Sequence, residues 1–421
     1  MQFNEMSDQE LVLMYEKLKR EYENIKQQDL KLDMSRGKPA ADQLDLSMDM
    51  LKQVIGVYDC KAENGFDCRN YGILEGVNEC KRLFSEMLEV PVENIILGGT
   101  SSLALMFDYI TQCMLTGSGA EPWSKQGKIK FICNVPGYDR HFSICEYYGI
   151  EMISVPLTEE GPDMDIIEEL IKDESVKGMF CVPKYSNPTG ITYSDSVVRR
   201  LARMEPAAKD FRVIWDNAYA VHDITNTPDT LLNIFDECKK YGTEDYFVEF
   251  TSTAKISFPG GGISCIAASD NNKKMILDRL SKQTICYDKL NQLRHARFFR
   301  DLEGIKLHMK KHAALIAPKF DIVIEAFNAE LKEYDLASWT EPNGGYFISL
   351  DTKHCSAKRV GELCRSLGVV LTDVGATYPY GVDPDDRNIR IAPSFPTVVE
   401  LKKAAEILCL CIKLASIENL V

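Results

Sequence analysis

The chain has no excess of positive charge: 49 lysines and arginines face 63 aspartates and glutamates, for a formal net charge of −14. Binding a nucleic-acid backbone needs a concentrated basic face, so nucleic acid is excluded as a partner. The acidic balance instead favours solubility. Patterned cysteine is also lacking. The 14 cysteines lie singly in apolar stretches such as FICNV and MFCVP, with no CxxC pair and no regular spacing. They read as buried, reduced thiols of a cytoplasmic protein, and no metal site is expected. Long hydrophobic runs are missing too. None approaches the roughly 18 apolar residues of a membrane span, so no membrane partner is expected. The N-terminus, MQFNEMSDQELVLMYEKLKREYENIKQQ, is charged and helical in pattern, without the apolar core of a signal peptide. Internal repeats and low-complexity tracts are absent.

What is present is length and rhythm. A chain of 421 residues suits one large and one smaller domain and can bury a sizeable core without staples. Residues 8–27 read as an amphipathic helix, followed by the polar loop LDMSRGKPAADQLDLS. From about residue 95, short apolar runs alternate with helical stretches. IILG, KFICNVP, EMISVP, KGMFCVP, RVIWD, DYFVEFTS and GISCIAAS read as seven strands. Alternation of this kind means βαβ crossovers and an α/β, three-layer, mostly parallel seven-stranded sheet. Strands apolar throughout imply cover on both faces. After about residue 290 one long helical region runs to about residue 332. GGYFISLD, a helix around 356–367, VVLT, NIRIAP and a helix around 397–415 then form a smaller α+β domain. The expected division is 1–50 as an N-terminal segment packed on the small domain, 51–290 as the large domain and 291–421 as the small one.

In open α/β sheets, ligands sit beyond the carboxyl ends of the strands, and the notable residues collect there. Gly99, Thr100 and Ser101 follow IILG and open a helix. Tyr138 follows KFICNVPG, and Asn187 lies in KYSNPTG after KGMFCVP. Asp216 ends RVIWD, with Tyr219 close behind. Ser252 and Lys255 stand in TSTAKISFPGGG. Each alone has a plain structural reading: an N-cap for the Asp, a solvated Lys, a turn for SNPTG. Together they suit one chemistry. A helix N-terminus with hydroxyls binds phosphate, and a buried Asp holds a protonated ring nitrogen. Tyr and Asn hydrogen-bond a phenolate oxygen, an aromatic ring stacks on a heterocycle, and a lysine of lowered pKa forms an imine with an aldehyde. That set describes pyridoxal 5'-phosphate (PLP) held on a lysine.

On these motifs the sequence resembles the fold-type I PLP enzymes, specifically class I aminotransferases. Within them it is most like the divergent aspartate aminotransferase subgroup related to the MocR-type proteins. The likeness runs from NYGILEG at 70–76 to NIRIAPSFP at 388–396. It implies that Lys255 is the Schiff-base lysine, that Asp216 pairs with the pyridine nitrogen, and that Tyr219 and Asn187 share the phenolic oxygen. Ser252, Gly99, Thr100 and Ser101 would cup the phosphate, and Tyr138 would stack on the ring. Tyr71 would reach the cofactor of a neighbouring subunit, making the active unit a homodimer. Arg390 would grip the substrate α-carboxylate through a bidentate guanidinium.

Two departures stand out. Where many members carry a phosphate-binding arginine, eight residues after the lysine, this chain has Ile263. Either backbone amides of the glycine turn substitute or phosphate is held more weakly. The N-terminal glycine motif is SRGKPA, where Arg36 and Lys38 flank Gly37. Those cations would meet an acidic substrate side chain, or form a solvated basic loop. The expected activity is amino-group transfer between an amino acid, aspartate or glutamate favoured, and a 2-oxo acid. The alternatives are a cysteine-S-conjugate β-lyase and a non-catalytic ligand-sensing domain of the same fold. The regulators carry a basic winged-helix segment ahead of this fold, whereas about 30 residues with a single helical pattern precede SRGKPA. Tyr378 and Tyr380, in ATYPYG, would line the pocket if the donor were aromatic.

Overall fold

The computed structural model describes Phe3, residues 6–418 and Leu420. Its strands, in chain order, are β1 (Leu32–Asp33), β2 (Ile95–Leu97), β3 (Lys130–Val135), β4 (Glu151–Thr158), β5 (Gly161–Pro162), β6 (Val176–Cys181) and β7 (Arg212–Asp216). They continue with β8 (Phe247–Ser252), β9 (Ser264–Ala268), β10 (Ala337–Trp339), β11 (Ile348–Thr352), β12 (Val369–Val370) and β13 (Asn388–Ile391).

The large sheet has the order β2-β9-β8-β7-β6-β3-β4-β5. The pairs from β8 through β7, β6 and β3 to β4 are parallel, whereas β9 runs antiparallel to both β8 and β2. The seven expected strands are all present. The eighth, β5, is a two-residue antiparallel edge added to β4, too short to leave a periodic signal in the sequence.

Parity along the strands explains the three layers. Met179, Cys181, Val213, Trp215 and Phe247 enter one core with Leu83, Phe84 and Leu293. Phe180, Ile214, Val248 and Phe250 enter the other with Leu105, Tyr109, Phe142 and Ile276. Successive side chains point to opposite faces, so strands buried at every position, such as β6 and β7, need helices on both sides. Near the edge of the sheet, β4 buries only Met152 and Val155, one in each core, and is otherwise exposed or half-buried.

A third core joins the N-terminal helix Asp8–Lys26 to the antiparallel sheet β10-β11-β13 and the last helix, Val398–Ile417. The first helix starts at a capping box, in which Ser7 and Glu10 satisfy each other's backbone amides. The β1–β12 pair, Leu32 on Val369, ties the N-terminal segment to the same layer.

The helical region after residue 290 is two helices, Lys289–Phe299 and Leu302–Glu330. Arg300 takes a positive φ of 67°, and Asp301 caps the second helix by accepting from the Gly304 amide at 2.8 Å. Ile305 and Met309 pack on the large-sheet core, whereas Ile316, Phe320, Val323 and Phe327 pack on the third core. This one helix therefore spans two cores.

Candidate active site

The sheet order has a reversal at β3, whose neighbours are β4 on one side and β6 on the other. A crevice outside the strand ends is expected at such a point. The turn after β3 carries Tyr138 at the N-cap of helix Asp139–Tyr148, and the loop after β6 carries Asn187. Next in order come Asp216, at the end of β7, and Ser252, at the end of β8. Lys255 lies three residues beyond Ser252.

Asp216 shares the face of Ile214, so its carboxylate points toward the helix that follows β3. There His141 Nε2 donates to Asp216 Oδ2 at 3.0 Å, with both side chains buried. The His141 ring is held flat against Phe180, with centroids 4.4 Å apart and an interplanar angle of 9°, and edge-on to Tyr138. Asp216 Oδ1 is buried and accepts no hydrogen bond among the described residues. An orphaned carboxylate oxygen is costly to bury, and a protonated ring nitrogen is the kind of donor that would satisfy it. Asp216 thus fits PLP.

Lys255 is half-buried, and its Nζ stands 4.8 Å from the centre of the Tyr219 ring. Burial pushes its pKa below the usual lysine value, opposed by the Asp216 carboxylate. Tyr219 is buried, which raises its pKa, and the Tyr138 and Asp216 charges push the same way. Tyr138 is pushed up to about 12, chiefly by burial. The backbone at Lys255 is braced from behind: Tyr346 Oη donates to the Lys255 carbonyl at 3.4 Å, and Gln43 Nε2 donates to Tyr346 Oη at 3.1 Å. His222, packed edge-on against Tyr219 and Tyr346, is buried, and neither ring nitrogen has a hydrogen-bond partner among the described residues. Burial and the neighbouring Lys255 hold it neutral.

Arg390, on β13, faces the same crevice. Its Nη1 donates to Asp139 Oδ1 at 2.8 Å and to Asn187 Oδ1 at 3.3 Å, and its Nε donates to Thr372 Oγ1 at 3.2 Å. Thr372 in turn donates to the Ser35 carbonyl at 2.7 Å. That contact brings the SRGKPA loop beside Arg390. The Phe347 ring lies where a Cβ on Gly37 would stand, 2.4 Å from its nearest atom, so only glycine fits there. Arg36 and Lys38 are exposed, with Lys38 Nζ 3.7 Å from the centre of the Phe395 ring.

Ser101 is the N-cap of helix Ser102–Leu115 and makes no side-chain cap bond, which leaves its hydroxyl and the first amides to a ligand. Thr100 is exposed, and the space beside Gly99 is open apart from the Tyr287 ring at 3.9 Å. Ile263 is a core residue whose amide donates to Thr253 Oγ1 at 2.9 Å. The Gly261 amide is taken by the Phe258 carbonyl at 3.1 Å. Those two amides are therefore committed to the turn itself, and the nest reading loses them.

The structure does not bring every expected residue together. Tyr71 is 74% exposed and joins no contact with Lys255 within the single chain. Tyr380 Oη accepts from the Met152 amide at 3.0 Å, and Tyr378 packs against the core that holds Phe107 and Tyr148. Four residues escaped the sequence reading: His141, Asp139, Tyr346 and His222. His141 and Asp139 sit three and one positions after Tyr138, and that closeness to the tyrosine was the available signal.

An α/β sheet with a half-buried lysine, an acid with one oxygen unpartnered and an arginine from a second layer defines a class of enzymes, and the comparisons agree with it. The family model described as aspartate amino-transferase matches residues 6–421, and the chain belongs to that family of fold-type I PLP-dependent aminotransferases. Among particular relatives, an aspartate aminotransferase of Corynebacterium glutamicum is 47% identical over 409 residues, covering 97% of this chain and 94% of that protein. The crystal structure of an aspartate transaminase from C. glutamicum matches with a TM-score of 0.97 at 45% identity, covering 100% of both chains. A Thermus thermophilus aspartate aminotransferase solved with maleate is alike in fold, with a TM-score of 0.70 at 16% identity over 94% of this chain and 96% of that one.

Proposed function

We propose that this aminotransferase exchanges the amino group of aspartate or glutamate with a 2-oxo acid, using PLP anchored on Lys255. The observation that carries the site assignment is the buried, unpartnered Oδ1 of Asp216, in a crevice shared with Lys255 and Arg390. When bound, PLP supplies an aldehyde for imine formation and a ring that draws electrons from the substrate Cα.

The chain's residues do the rest. Asp216, fixed by His141, keeps the ring nitrogen protonated. Tyr219 and Asn187 bond the phenolic oxygen, and Tyr138 covers the ring. Gly99, Thr100, Ser101 and Ser252 take the phosphate. Arg390 binds the α-carboxylate, which orients Cα. Lys255 Nζ is the group that would take the proton from the substrate Cα, as base, and hold it for return, as acid. Its burial lowers its pKa, which favours the neutral amine this step needs.

The preference for acidic substrates is supported by the relatives named above and by Arg36, Gly37 and Lys38 beside Arg390. Tyr71 completes a second subunit's site in a homodimer; Ile55, Tyr58 and Tyr71, 79%, 87% and 74% exposed, supply apolar area for that contact. The fourteen free cysteines suit a reducing cytoplasm.

Lys255→Ala tests the reading. The variant is expected to lose turnover with aspartate and 2-oxoglutarate, and to lose the visible absorbance of the lysine-bound cofactor. Wild-type transamination by the variant would refute it.

A further inference from the structure

Arg390 is already holding a carboxylate. Asp139 Oδ1 lies 2.8 Å from its Nη1, in a pair whose side chains are 8% and 28% exposed. The two residues come from different layers: Asp139 opens the helix after β3 on the large sheet, and Arg390 stands on β13 of the small one. Nη1 is shared with Asn187 and Nε is spent on Thr372. No hydrogen bond leaves Nη2 among the described residues. A two-pronged grip on an incoming carboxylate needs a neighbouring pair of these nitrogens. The pair formed by Nη1 and Nη2 becomes available only if Asp139 withdraws.

Asp139 has somewhere to go. It is the first residue of its helix, where the N-terminal dipole favours an anion. Its Oδ2 is 3.9 Å from Arg140 Nε, on an exposed side chain. Asn187 and Thr372 hold the guanidinium from other directions, so Arg390 keeps its place when Asp139 leaves.

We propose that Asp139 is a resident competitor for the substrate carboxylate: it occupies Arg390 between turnovers and sets how tightly both amino acids and 2-oxo acids bind. The proposal rests on the reading of Arg390 as the α-carboxylate anchor. It makes Asp139 an affinity-determining residue, and it assigns the carboxylate exchange on Arg390 as a step of substrate entry.

The test is calorimetric titration of the PLP-loaded enzyme with succinate, a carboxylate that cannot transaminate, followed by KM measurements for aspartate and 2-oxoglutarate. Asp139→Asn removes the competing charge at nearly constant shape, and Asp139→Ser does so with a different side chain in case the first variant misfolds. Both are expected to bind succinate about tenfold tighter, the size of one charge-assisted hydrogen bond, and to lower KM for both substrates. Asp139→Glu, which restores the charge, is expected to return KM toward wild type. Unchanged or weaker succinate binding in folded Asn and Ser variants would overturn the proposal, because Asp139 would then merely orient Arg390. Arg390→Gln separates the two readings. Loss of succinate binding keeps the anchor assignment and leaves the Asp139 variants to decide. Wild-type binding removes the anchor and the Asp139 proposal with it.

Discussion

The two oxygens of Asp216 have different environments, and the account depends on that asymmetry. Oδ2 accepts from His141, while Oδ1 is buried without a partner. A hydrogen bond to a charged group contributes roughly 1.5–3 kcal/mol. His141→Ala should therefore lower kcat/KM about 10- to 100-fold while Lys255 still carries the cofactor. Asp216→Ala removes the charge itself and should cost more, about 10²–10⁴-fold. Steady-state kinetics of the two variants checks the order; a His141 variant as impaired as the Asp216 variant would contradict it. The residues legible in the sequence were those marked by a strand end, since an apolar run followed by a polar residue is a local pattern. His141 was not legible because its partner lies 75 positions away. Asp139 was hidden in the same way, by 251 positions of separation from Arg390.

At the scale of elements, a periodic apolar pattern marks helices well and their interruptions poorly. RFFRDLEGIK keeps helical spacing of its apolar residues, yet the chain turns at Arg300. Asp301 starts the next helix, and a Cβ on Gly304 would lie 1.8 Å from the Phe299 carbonyl oxygen. The break is enforced by that close approach, which composition does not reveal. Asp301→Ala should cost about 1 kcal/mol through the lost cap. Gly304→Ala should cost more, because backbone has to move. Urea denaturation of both variants measures this, and equal stabilities would show that the junction is relaxed. Short pairings such as β1–β12 and β4–β5 were equally illegible: two residues carry no period, and their partners are set by packing between distant segments.

Over the whole molecule, parity of the strands delivers the three layers, and the helix Leu302–Glu330 links them to the third core. Buried histidines sit near the junction. His312 Nε2 lies 3.1 Å from His308 Nε2, and His312 Nδ1 lies 3.2 Å from Gln43 Nε2. His295 Nε2 lies 2.8 Å from Ser257 Oγ, two residues past Lys255. Burial lowers both His295 and His312 to about 4, against about 6.5 in an unfolded chain. The unfolded state therefore takes up protons first as pH falls. The stability these neutral rings allow is intact above pH 6.5 and is lost progressively as pH falls toward 4. Unfolding free energy should be lower at pH 5 than at pH 7.5, and His312→Gln should flatten that slope; an unchanged slope in the variant would place the proton uptake elsewhere.

All of this converges on one amine. Reducing the PLP-loaded protein with borohydride fixes the cofactor to whichever lysine carries it, and peptide mass spectrometry then locates it. The account predicts a single pyridoxyl group on the peptide containing Lys255; the group on another lysine, or on none, would contradict it.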